Sequence, residues 1–411
     1  MKAKKLLCMA LCLVMVFALC ACGSDNAAES KTEPAAETAG ETAEPAADKT
    51  GESGDAAASD GVFKLGVCGP LTGGAAIYGN AVLAAAQIAV DELNAAGGVQ
   101  FEVQGQDDEA DGEKAVNAYN NLLDWGMQVL VGPVTTGAAI TVSSQANTDR
   151  VFCLTPSASS TDVIDGKDNV FQVCFTDPNQ GSASADYMAE NFADSKIAVI
   201  YKNDDAYSQG IRDSFVSECS AKGLEVVYEG TFTTDTATDF SVQLTAAQTA
   251  GADLLFLPIY YTPAATILSQ AHDMNYAPTF FGVDGMDGIL TLEGFDTSLA
   301  EGVMLLTPFS ADAQDEKTQA FVAEYTSRCE DVPNQFAADA YDAVYIVAEA
   351  LEKAGCTPDM SPEEICEALV QMMPAMSFDG LTGAGMTWDA NGAVSKAPMA
   401  VVIENGQYVL P

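Results

Sequence analysis

The sequence predicts an α/β fold made of two doubly wound parallel-sheet lobes. Beyond residue 60, short apolar runs of strand length alternate with longer segments of helical periodicity, and glycines punctuate them. The alternation occurs in two series, over residues 62–154 and 196–282. From Gly61 to Pro411 about 350 residues remain, which is enough for two domains of ordinary size. Because strand–helix alternation builds βαβ units, each series is expected to form one parallel sheet.

The first series predicts four strands and three helices. Its strands are Val62–Cys68, Phe101–Gly105, Val129–Gly132 and Val151–Leu154, and its helices are Asn80–Ala96, Glu113–Trp125 and Ala138–Asn147. Phe101–Gly105 alternates apolar and polar residues, which favours a half-buried strand. The pair Gly97-Gly98 ends the first helix, because glycine is a poor helix former.

The second series repeats the same order. Its strands are Lys196–Tyr201, Leu224–Tyr228, Leu254–Pro258 and Thr279–Gly282, and its helices are Gln209–Ala221, Phe240–Thr249 and Ala264–Met274. Both series are therefore expected to carry helices on both faces of their sheets.

The first 21 residues are predicted to be a signal peptide. Three lysines stand among the first five residues, and the apolar run Leu6–Leu19 that follows is 14 residues long. Such a run is too short to span a bilayer comfortably, because roughly 20 residues are needed. Leu19-Cys20-Ala21-Cys22 resembles a bacterial lipobox. This resemblance implies cleavage before Cys22 and a diacylglycerol anchor on its thiol. The alternative is a secreted protein with an incidental cysteine.

Residues 22–60 are predicted to form a disordered acidic tether. The stretch 23–60 is rich in Ala, Glu, Thr, Ser and Gly and contains no Val, Ile, Leu, Met or aromatic residue. It carries ten acids against two lysines. Such a composition buries too little apolar surface to fold. The segment is therefore expected to connect a lipid anchor to the folded body.

The charge of the chain limits its partners. The formal net charge is −42, from 17 Lys and Arg against 59 Asp and Glu. Phosphate contacts need clusters of Lys and Arg, so nucleic acid and anionic lipid surfaces are excluded as partners. A strongly anionic ligand is disfavoured for the same reason.

The cysteines of the body do not form a metal or redox motif. No CxxC pair occurs among them, and they number seven: Cys68, Cys153, Cys174, Cys219, Cys329, Cys356 and Cys366. Several stand within apolar runs and are expected to act as small core residues. The sequence leaves open whether Cys356 and Cys366 pair.

Polar and aromatic residues follow several predicted strands. Thr135-Thr136-Gly137 follows the third strand, Thr155–Ser159 follows the fourth, and Asp284-Gly285 follows Thr279–Gly282. Tyr207 and Tyr260 also stand after strands. In open α/β sheets ligands bind outside the carboxyl ends of the strands, so these residues are the candidate binding site.

The residue types suit a zwitterionic amino acid. Thr136 combines a hydroxyl with a helix N-terminus, which favours a carboxylate, and Ser157 and Ser159 offer further polar groups. Asp284 would pair with an ammonium group, with Asp287 as a less favoured acid. The alternatives are a threonine that caps only its own helix, a serine-rich turn and a solvated turn aspartate.

The motifs of this chain resemble those of the leucine/isoleucine/valine-binding proteins. These are type I periplasmic-binding-protein-like subunits of ABC importers. The opening motifs are Leu65–Gly73 (LGVCGPLTG), Tyr78-Gly79 and Ala89–Val99 (AVDELNAAGGV). Further matches are Asp107-Asp108, Val131-Gly132-Pro133, Thr155–Ala158, Lys196–Ile200 and Thr387-Trp388-Asp389. Together they extend from about residue 62 to 390, which is essentially the whole body.

The resemblance implies two lobes joined by three crossovers and a cleft that closes over its ligand. The crossings are expected near Phe175–Pro178, Thr307–Ser310 and Phe378–Thr382. The first lobe would then comprise residues 61–177 plus 309–380. The second would comprise residues 178–308 plus 381–411.

The same resemblance assigns roles to individual residues. Asp284 matches the acid that binds the ligand ammonium, although it is one methylene shorter than the Glu of relatives. Tyr207 and Tyr260 match aromatic residues that line the cleft on the second lobe, where a tyrosine face attracts an ammonium. Tyr78 and Phe336 are candidates for the ligand side-chain pocket, with core packing as the alternative for all four aromatic residues.

One departure from relatives concerns the carboxylate-binding loop. Some relatives have a disulfide there, and the corresponding positions of this chain hold Ala110 and Thr135. Hydrogen bonds alone are therefore expected to hold the loop.

Catalytic function is not expected. The only histidine, His272, stands within a predicted helix, and no GxSxG, HExxH or Walker A motif occurs. We therefore predict a binding protein without cofactor or metal. Asp389–Gly392 resembles a calcium loop only faintly and is predicted to be a plain turn.

The predicted function is that of a lipid-anchored extracytoplasmic protein. It would capture a branched-chain or similar amino acid between its lobes and deliver it, as a monomer, to an ABC permease. The alternatives are a ligand-sensing lipoprotein that signals to a membrane receptor and a binder of another small neutral solute or amide.

Overall fold

The structure, a computed structural model, describes residues 61–410. It confirms the predicted α/β class, with two sheets in which parallel strands dominate. The predicted signal peptide, the lipidation site Cys22 and the acidic tether lie outside the described residues.

The first sheet has five parallel strands in the order β2-β1-β3-β4-β5. They are β1 (Phe63–Gly69), β2 (Phe101–Asp107), β3 (Val129–Val131), β4 (Phe152–Thr155) and β5 (Val170–Gln172). Every residue of β3, β4 and β5 is buried. Such continuous apolar runs are expected where helices cover both faces of a parallel sheet.

The second sheet has seven strands in the order β12-β11-β10-β9-β8-β6-β7. They are β6 (Lys196–Lys202), β7 (Glu225–Phe232), β8 (Leu254–Leu257), β9 (Thr279–Gly282), β10 (Met304–Thr307), β11 (Met399–Glu404) and β12 (Gln407–Val409). Strands β6 to β10 pair in parallel, whereas β11 and β12 add an antiparallel edge.

Ten helices cover the two sheets in the described part of the chain. They are α1 (Ala76–Ala96), α2 (Gly112–Trp125), α3 (Thr136–Asp149), α4 (Asp177–Asn191), α5 (Ala206–Lys222), α6 (Ser241–Ala250), α7 (Tyr261–Asp273), α8 (Glu316–Cys329), α9 (Gln335–Ala354) and α10 (Pro362–Met372). Helices α8 and α9 pack on α1, and α10 packs on α9 and β4. We therefore call the first sheet with α1–α3 and α8–α10 the first lobe, and the second sheet with α4–α7 the second lobe.

Strand β5 and helices α4 and α9 lie near the site and have no counterpart among the predictions. Strand β5 is only three residues long, and α4 buries small residues such as Gly181, Ser184 and Ala185 instead of an apolar stripe. The close approach of α4 to α5 explains this choice, because a Cβ atom on Gly181 would lie 1.9 Å from the Ser214 Oγ atom. A helix built for such an approach carries little hydrophobic periodicity.

The chain passes between the lobes three times. Two passages, after β5 and after β10, lie near the predicted positions. The third differs from the prediction, because residues 381–395 remain beside the first sheet. The Trp388 Nε1 atom donates to the Gln172 carbonyl at 2.8 Å, and the Gln172 amide donates to the Gly392 carbonyl at 2.9 Å. The assignment of 381–395 to the second lobe is therefore wrong, since these residues form a small hairpin on the edge strand β5.

Candidate functional site

The predicted site residues meet at a cavity between the two lobes. Nine residues line it: Tyr78, Val134, Thr135, Ser157, Tyr207, Tyr260, Asp284, Gly285 and Phe336. Six of the eight predicted ligand-binding residues are among them. Of the other two, Thr136 follows the lining residue Thr135, and Ser159 stands two residues after the lining residue Ser157. Strand ends and helix starts of both lobes therefore converge here.

The first lobe contributes threonine hydroxyls at the start of α3. Thr135 is the N-cap residue of this helix but makes no capping hydrogen bond, and Thr136 is its first residue. Both hydroxyls are buried and have no hydrogen-bond partner among residues 61–410. Buried hydroxyls are normally hydrogen-bonded, so these two are candidates to bind a ligand. The alternative, in which a threonine only caps its own helix, is not what the structure shows.

Two serines of the loop after β4 behave differently. The Ser157 hydroxyl donates to the Val134 carbonyl at 2.7 Å and thereby ties this loop to the loop before α3. The Ser159 hydroxyl is fully buried and lacks a partner in the described chain. Ser159 is therefore the better candidate for a side-chain contact, whereas Ser157 lines the cavity and holds the loop.

The second lobe contributes the carboxylate of Asp284. This residue follows β9 and is 2% exposed. Its Oδ1 atom accepts from the Tyr207 hydroxyl at 2.6 Å, and its amide donates to the Gln180 Oε1 atom at 3.2 Å. Burial raises the pKa of Asp284 to about 7, and the Tyr207 hydroxyl offsets only part of that rise. An ammonium group in the cavity would stabilise the ionised form.

Aromatic side chains join the two lobes around the cavity. The Tyr78 hydroxyl donates to the Gly285 carbonyl and accepts from the Tyr261 amide at 3.3 Å. The Tyr78 ring stands edge-on to Tyr260, Tyr261 and Phe336, with centroids 5.5, 4.9 and 4.7 Å apart. Tyr78 therefore contacts the second lobe directly and limits the room for a ligand side chain.

Tyr207 and Tyr260 form the wall of the cavity on the second lobe. Their ring centroids are 4.9 Å apart. Burial raises the pKa of Tyr260 well above its usual range, while the nearby Thr136 amide of the first lobe opposes that rise. Both phenols are therefore neutral hydrogen-bonding groups at physiological pH.

Asp287 does not line this cavity. Its Oδ2 atom accepts from the Gln335 amide at 2.8 Å and from the Gln335 Nε2 atom at 3.3 Å. It lies at the wall of a larger cavity between α1, β10 and the loop before α9. Because the start of α9 already holds Asp287, we retain Asp284 as the candidate acid.

Other predicted residues lie elsewhere. His272 is exposed in the last turn of α7, and Cys356 and Cys366 are free thiols. The Asp389 carboxylate accepts from the amides of Asn391 and Ala393, as in a plain turn.

Sequence reasoning gave no role to several residues near the cavity. Thr135 and Gly285 stood within the candidate segments without a role of their own, and Val134 and Tyr261 are chain neighbours of predicted residues. Asp177 and Gln180 stand at the start of α4, within or just after the first predicted crossing. Their signal was a Thr-Asp-Pro helix start, which is equally typical of an ordinary capped helix.

The fold and this cleft define an extracytoplasmic type of solute-binding protein. The family model described as periplasmic binding protein matches residues 62–407. The chain therefore belongs to the periplasmic binding protein family, whose members bind solutes and are not enzymes. Within residues 61–410, the longest helices are too polar to cross a membrane.

Several similar proteins are named as binding proteins for branched-chain amino acids. The chain is 31% identical to the Leu/Ile/Val-binding protein homolog 3 of Brucella melitensis, over 74% of this chain and 83% of that protein. It is 29% identical to the leucine-, isoleucine-, valine-, threonine- and alanine-binding protein of Pseudomonas aeruginosa, over 78% and 84%. The solved structure of LivJ from Streptococcus pneumoniae, in complex with isoleucine, is 30% identical with a TM-score of 0.75, covering 85% of this chain and 100% of that one.

Proposed function

We propose that this protein captures an aliphatic amino acid in the cavity between its lobes and delivers it to an ABC importer. One observation carries the proposal. A buried carboxylate, Asp284, and the hydroxyls of Thr135, Thr136 and Ser159, which have no hydrogen-bond partner within residues 61–410, belong to opposite lobes at or beside one cavity. This arrangement offers complementary groups to the two ends of a zwitterion.

The carboxylate end of the ligand would bind to the first lobe. The N-terminus of α3 directs backbone N–H groups and the positive end of the helix dipole toward an anion, and Thr135 and Thr136 add hydroxyl donors. Ser159 would complete this end.

The ammonium end would bind to the second lobe. Asp284 has no lysine or arginine among its hydrogen-bond partners in the described chain, so a ligand cation would be its first counter-charge. The Tyr260 and Tyr207 rings beside it suit an ammonium through their negative faces.

Binding would be coupled to closure, because each lobe holds only part of the site. Ligand would first contact the hydroxyls of the first lobe, and closure would bring Asp284, Tyr207 and Tyr260 over it. The ligand shifts the equilibrium by its differential affinity for the closed form. An importer that recognises the closed form would thus bind the protein mainly when it carries ligand.

The ligand side chain would face Tyr78 and Phe336. The Tyr78 and Phe336 rings, with centroids 4.7 Å apart, give this end of the cavity an apolar wall, which supports an aliphatic side chain. The names of the relatives, which include leucine, isoleucine, valine, threonine and alanine, point in the same direction.

The cellular setting belongs to the same proposal. We propose that the chain is extracytoplasmic, anchored through a diacylglycerol on Cys22, and monomeric. Residues 22–60 would serve as the tether that allows the lobes to reach a permease.

Calorimetry on residues 23–411 tests the proposal. The panel comprises leucine, isoleucine, valine, threonine and alanine together with their deaminated and decarboxylated analogues. We expect binding to need both the ammonium and the carboxylate. Binding of 4-methylpentanoate as tightly as leucine would refute the role of Asp284.

A further inference from the structure

A second, larger cavity lies between the lobes and is separate from the ligand cavity. Its volume is about 990 Å³, and the two cavities share no lining residue. The first lobe contributes α1, β2, α8 and the loop before α9, and the second lobe contributes the loop after β9, β10 and the hairpin of β11 and β12. This volume is at the upper end of the range for small-molecule sites.

Contacts between the lobes separate the two cavities. The Ile77 amide of α1 donates to the Tyr261 hydroxyl of the second lobe at 3.3 Å. A Cβ atom on Gly288 would lie 2.8 Å from the Ile77 Cγ2 atom, so the loop after β9 packs tightly on α1. Ile77 lines the larger cavity, whereas the next residue, Tyr78, lines the ligand cavity. A molecule in the larger cavity would therefore have walls of its own.

Much of the wall of the larger cavity is apolar and only partly covered by the protein. Leu83 and Val103 of the first lobe and Leu290 of the second lobe line it and are half-buried. Covering such side chains stabilises a complex by about 25 cal/mol for each Å² of apolar surface removed from water. The wall therefore favours an occupant with an apolar body.

The charged part of the wall is entirely acidic. The residues of 61–410 that line the cavity include Asp287, Asp312 and Asp331 but no lysine, arginine or histidine. Asp312 and Asp331 are exposed, whereas Asp287 is only 4% exposed. An anionic occupant would be repelled by this wall, and a cationic one would be attracted.

The Asp287 carboxylate leaves one oxygen available to an occupant. Its Oδ2 atom accepts from the Gln335 amide at 2.8 Å, but its Oδ1 atom is buried and has no hydrogen-bond partner within residues 61–410. The Tyr408 hydroxyl, which also lines the cavity, lies close to this carboxylate but outside hydrogen-bonding geometry. Burial raises the pKa of Asp287, because a buried carboxylate is costly unless a cation pairs with it.

We propose that the larger cavity is a second ligand site, which takes a small organic cation with an apolar body, such as a primary alkylamine. The ammonium group donates to the Asp287 Oδ1 atom, and the apolar body packs between α1 of the first lobe and Leu290 of the second. The charge complementarity and the half-buried apolar wall together define this class of ligand. The site is distinct from the one proposed for the amino acid and does not depend on that proposal.

Two cysteines make the occupancy of this cavity measurable. Cys329 lines the cavity and is partly exposed, and Cys356 is a partly exposed thiol outside it. The rate at which iodoacetamide modifies each thiol, measured by mass spectrometry of the peptides from residues 23–411, reports protection at each place. The probes are hexylamine, hexanol and hexanoate, which share one apolar chain and differ in charge. Each titration is run with and without saturating leucine.

The proteins compared are the wild type, D287N and D108N. Asparagine at position 287 keeps an oxygen for the Gln335 amide and loses only the charge. D108N is the matched control, because Asp108 is a fully buried acid that bonds the Ala110 amide and lines neither cavity.

We expect hexylamine to protect Cys329 at a concentration at least about tenfold lower than hexanol does, since hydrogen bonds between charged groups are the stronger ones. Hexanoate should not protect this thiol, and Cys356 should react at one rate throughout. D287N should lose the preference for the amine over the alcohol, and D108N should keep it. Leucine should leave the protection unchanged, because it binds elsewhere.

The inference is wrong if hexanol protects Cys329 as well as hexylamine does, if hexylamine slows Cys356 equally, or if leucine abolishes the protection. It is also wrong if D287N keeps the preference for the amine. The first three results need no variant, so they decide the matter even if D287N does not fold. The amino acid titrations decide the proposed function separately.

A second variant tests the position of the apolar body. Ala84 is half-buried on α1 and lines the larger cavity, so Ala84→Phe fills part of the cavity and leaves Asp287 in place. Hexylamine should then no longer change the reactivity of Cys329, while calorimetry should give the wild-type affinity for leucine. Undiminished protection by hexylamine in Ala84→Phe would overturn the inference.

Discussion

The hinge and the ligand cavity both bury aspartates, but they satisfy them differently. We call hinge the third passage between the lobes, where the chain leaves the Trp388 hairpin at about residue 396 and continues to β11. At the hinge, Asp339 and Lys396 form an ion pair in which both side chains are 1% exposed, and the Lys396 Nζ atom also donates to the Thr382 Oγ1 atom at 2.7 Å. Beside it, Asp342 accepts from the Thr382 amide at 2.9 Å and from its hydroxyl at 2.8 Å. At the cavity, the Asp284 carboxylate accepts one hydrogen bond, from the Tyr207 hydroxyl. Beside it, the Asp177 carboxylate accepts no hydrogen bond from residues 61–410.

This difference separates acids that the protein itself pairs from acids left available to a ligand. A buried charge that the protein itself pairs holds segments together and resists change. A buried charge without a protein partner makes the closed form depend on a ligand. The same residue type therefore has opposite effects on stability at two places in one interlobe region.

The largest effect is expected from breaking the hinge pair. Lys396→Met removes the cation and leaves Asp339 buried without its partner, so the free energy of unfolding should fall by about 3–5 kcal/mol. Urea denaturation measures this change. Lys353→Met removes an exposed i,i+4 pair with Glu349 and should change stability by about 0–1 kcal/mol, as a control. Equal effects of the two substitutions would contradict the structural role of the hinge pair.

The cavity acid should show its effect in binding. Asp284→Asn should weaken binding of an amino acid by about 2–5 kcal/mol, because the ligand ammonium loses its charged partner. Isothermal titration calorimetry with the amino acid panel measures the loss. Unchanged affinity in a variant that unfolds at the wild-type temperature would remove Asp284 from the site.

The pH dependence of stability distinguishes Asp284 from a paired acid. The pKa of Asp284 is about 7 in the folded state and near 4 in the unfolded state, so the folded state binds more protons between these pH values. Stability should therefore fall as pH rises from about 4 to about 7, and Asp284→Asn should remove this component. Urea denaturation of both proteins, without ligand, at about pH 4.5 and 7.5 tests the sign. If Asp284→Asn is no more stable, relative to the wild type, at the higher pH than at the lower pH, the expected pH dependence is wrong.

The smallest effect concerns the contact that joins the lobes beside the cavity. Tyr78→Phe keeps the ring but removes the hydroxyl that bonds Gly285 and the Tyr261 amide, so the closed form should lose about 0.5–1.5 kcal/mol. Small-angle scattering of the protein without ligand should then show a larger radius of gyration. Thr266→Ala is a control, because the Thr266 hydroxyl bonds only its own helix. An unchanged radius for Tyr78→Phe would mean that this hydroxyl does not hold the lobes together.

Much of the fold was predictable because parallel sheets leave a strong signal. Apolar runs such as Leu254–Leu257 and Thr279–Gly282 ended within one residue of their predicted bounds, since each is a short apolar run that adjoins a proline, Pro258 or Pro278. The start of α1 at Ala76 was missed, because its first turn faces the second lobe and lacks the pattern of a surface helix. The third crossing was misplaced because the hairpin around Trp388 docks on β5 through long-range hydrogen bonds.

Residues at or beside the cavity were predictable where they follow strands and were hidden where they follow a crossing. Tyr207, Tyr260 and Asp284 stand at strand ends, where topology alone predicts ligand contacts. Asp177 stands at the start of a helix that brings it beside Ser159 and Asp284 only through tertiary packing. Its carboxylate is buried and has no partner in the described chain, and this can be seen only in the folded structure.

The late position of the Trp388 hairpin and of strands β11 and β12 has a consequence for folding. The first lobe needs residues up to about 396 for its edge, and the second lobe needs residues up to Val409 to complete its sheet. Neither lobe is a continuous piece of chain, so both depend on contacts between residues far apart in sequence. Such non-local contacts slow folding. A chain that completes its lobes only after nearly all of it has emerged is suited to crossing a membrane unfolded.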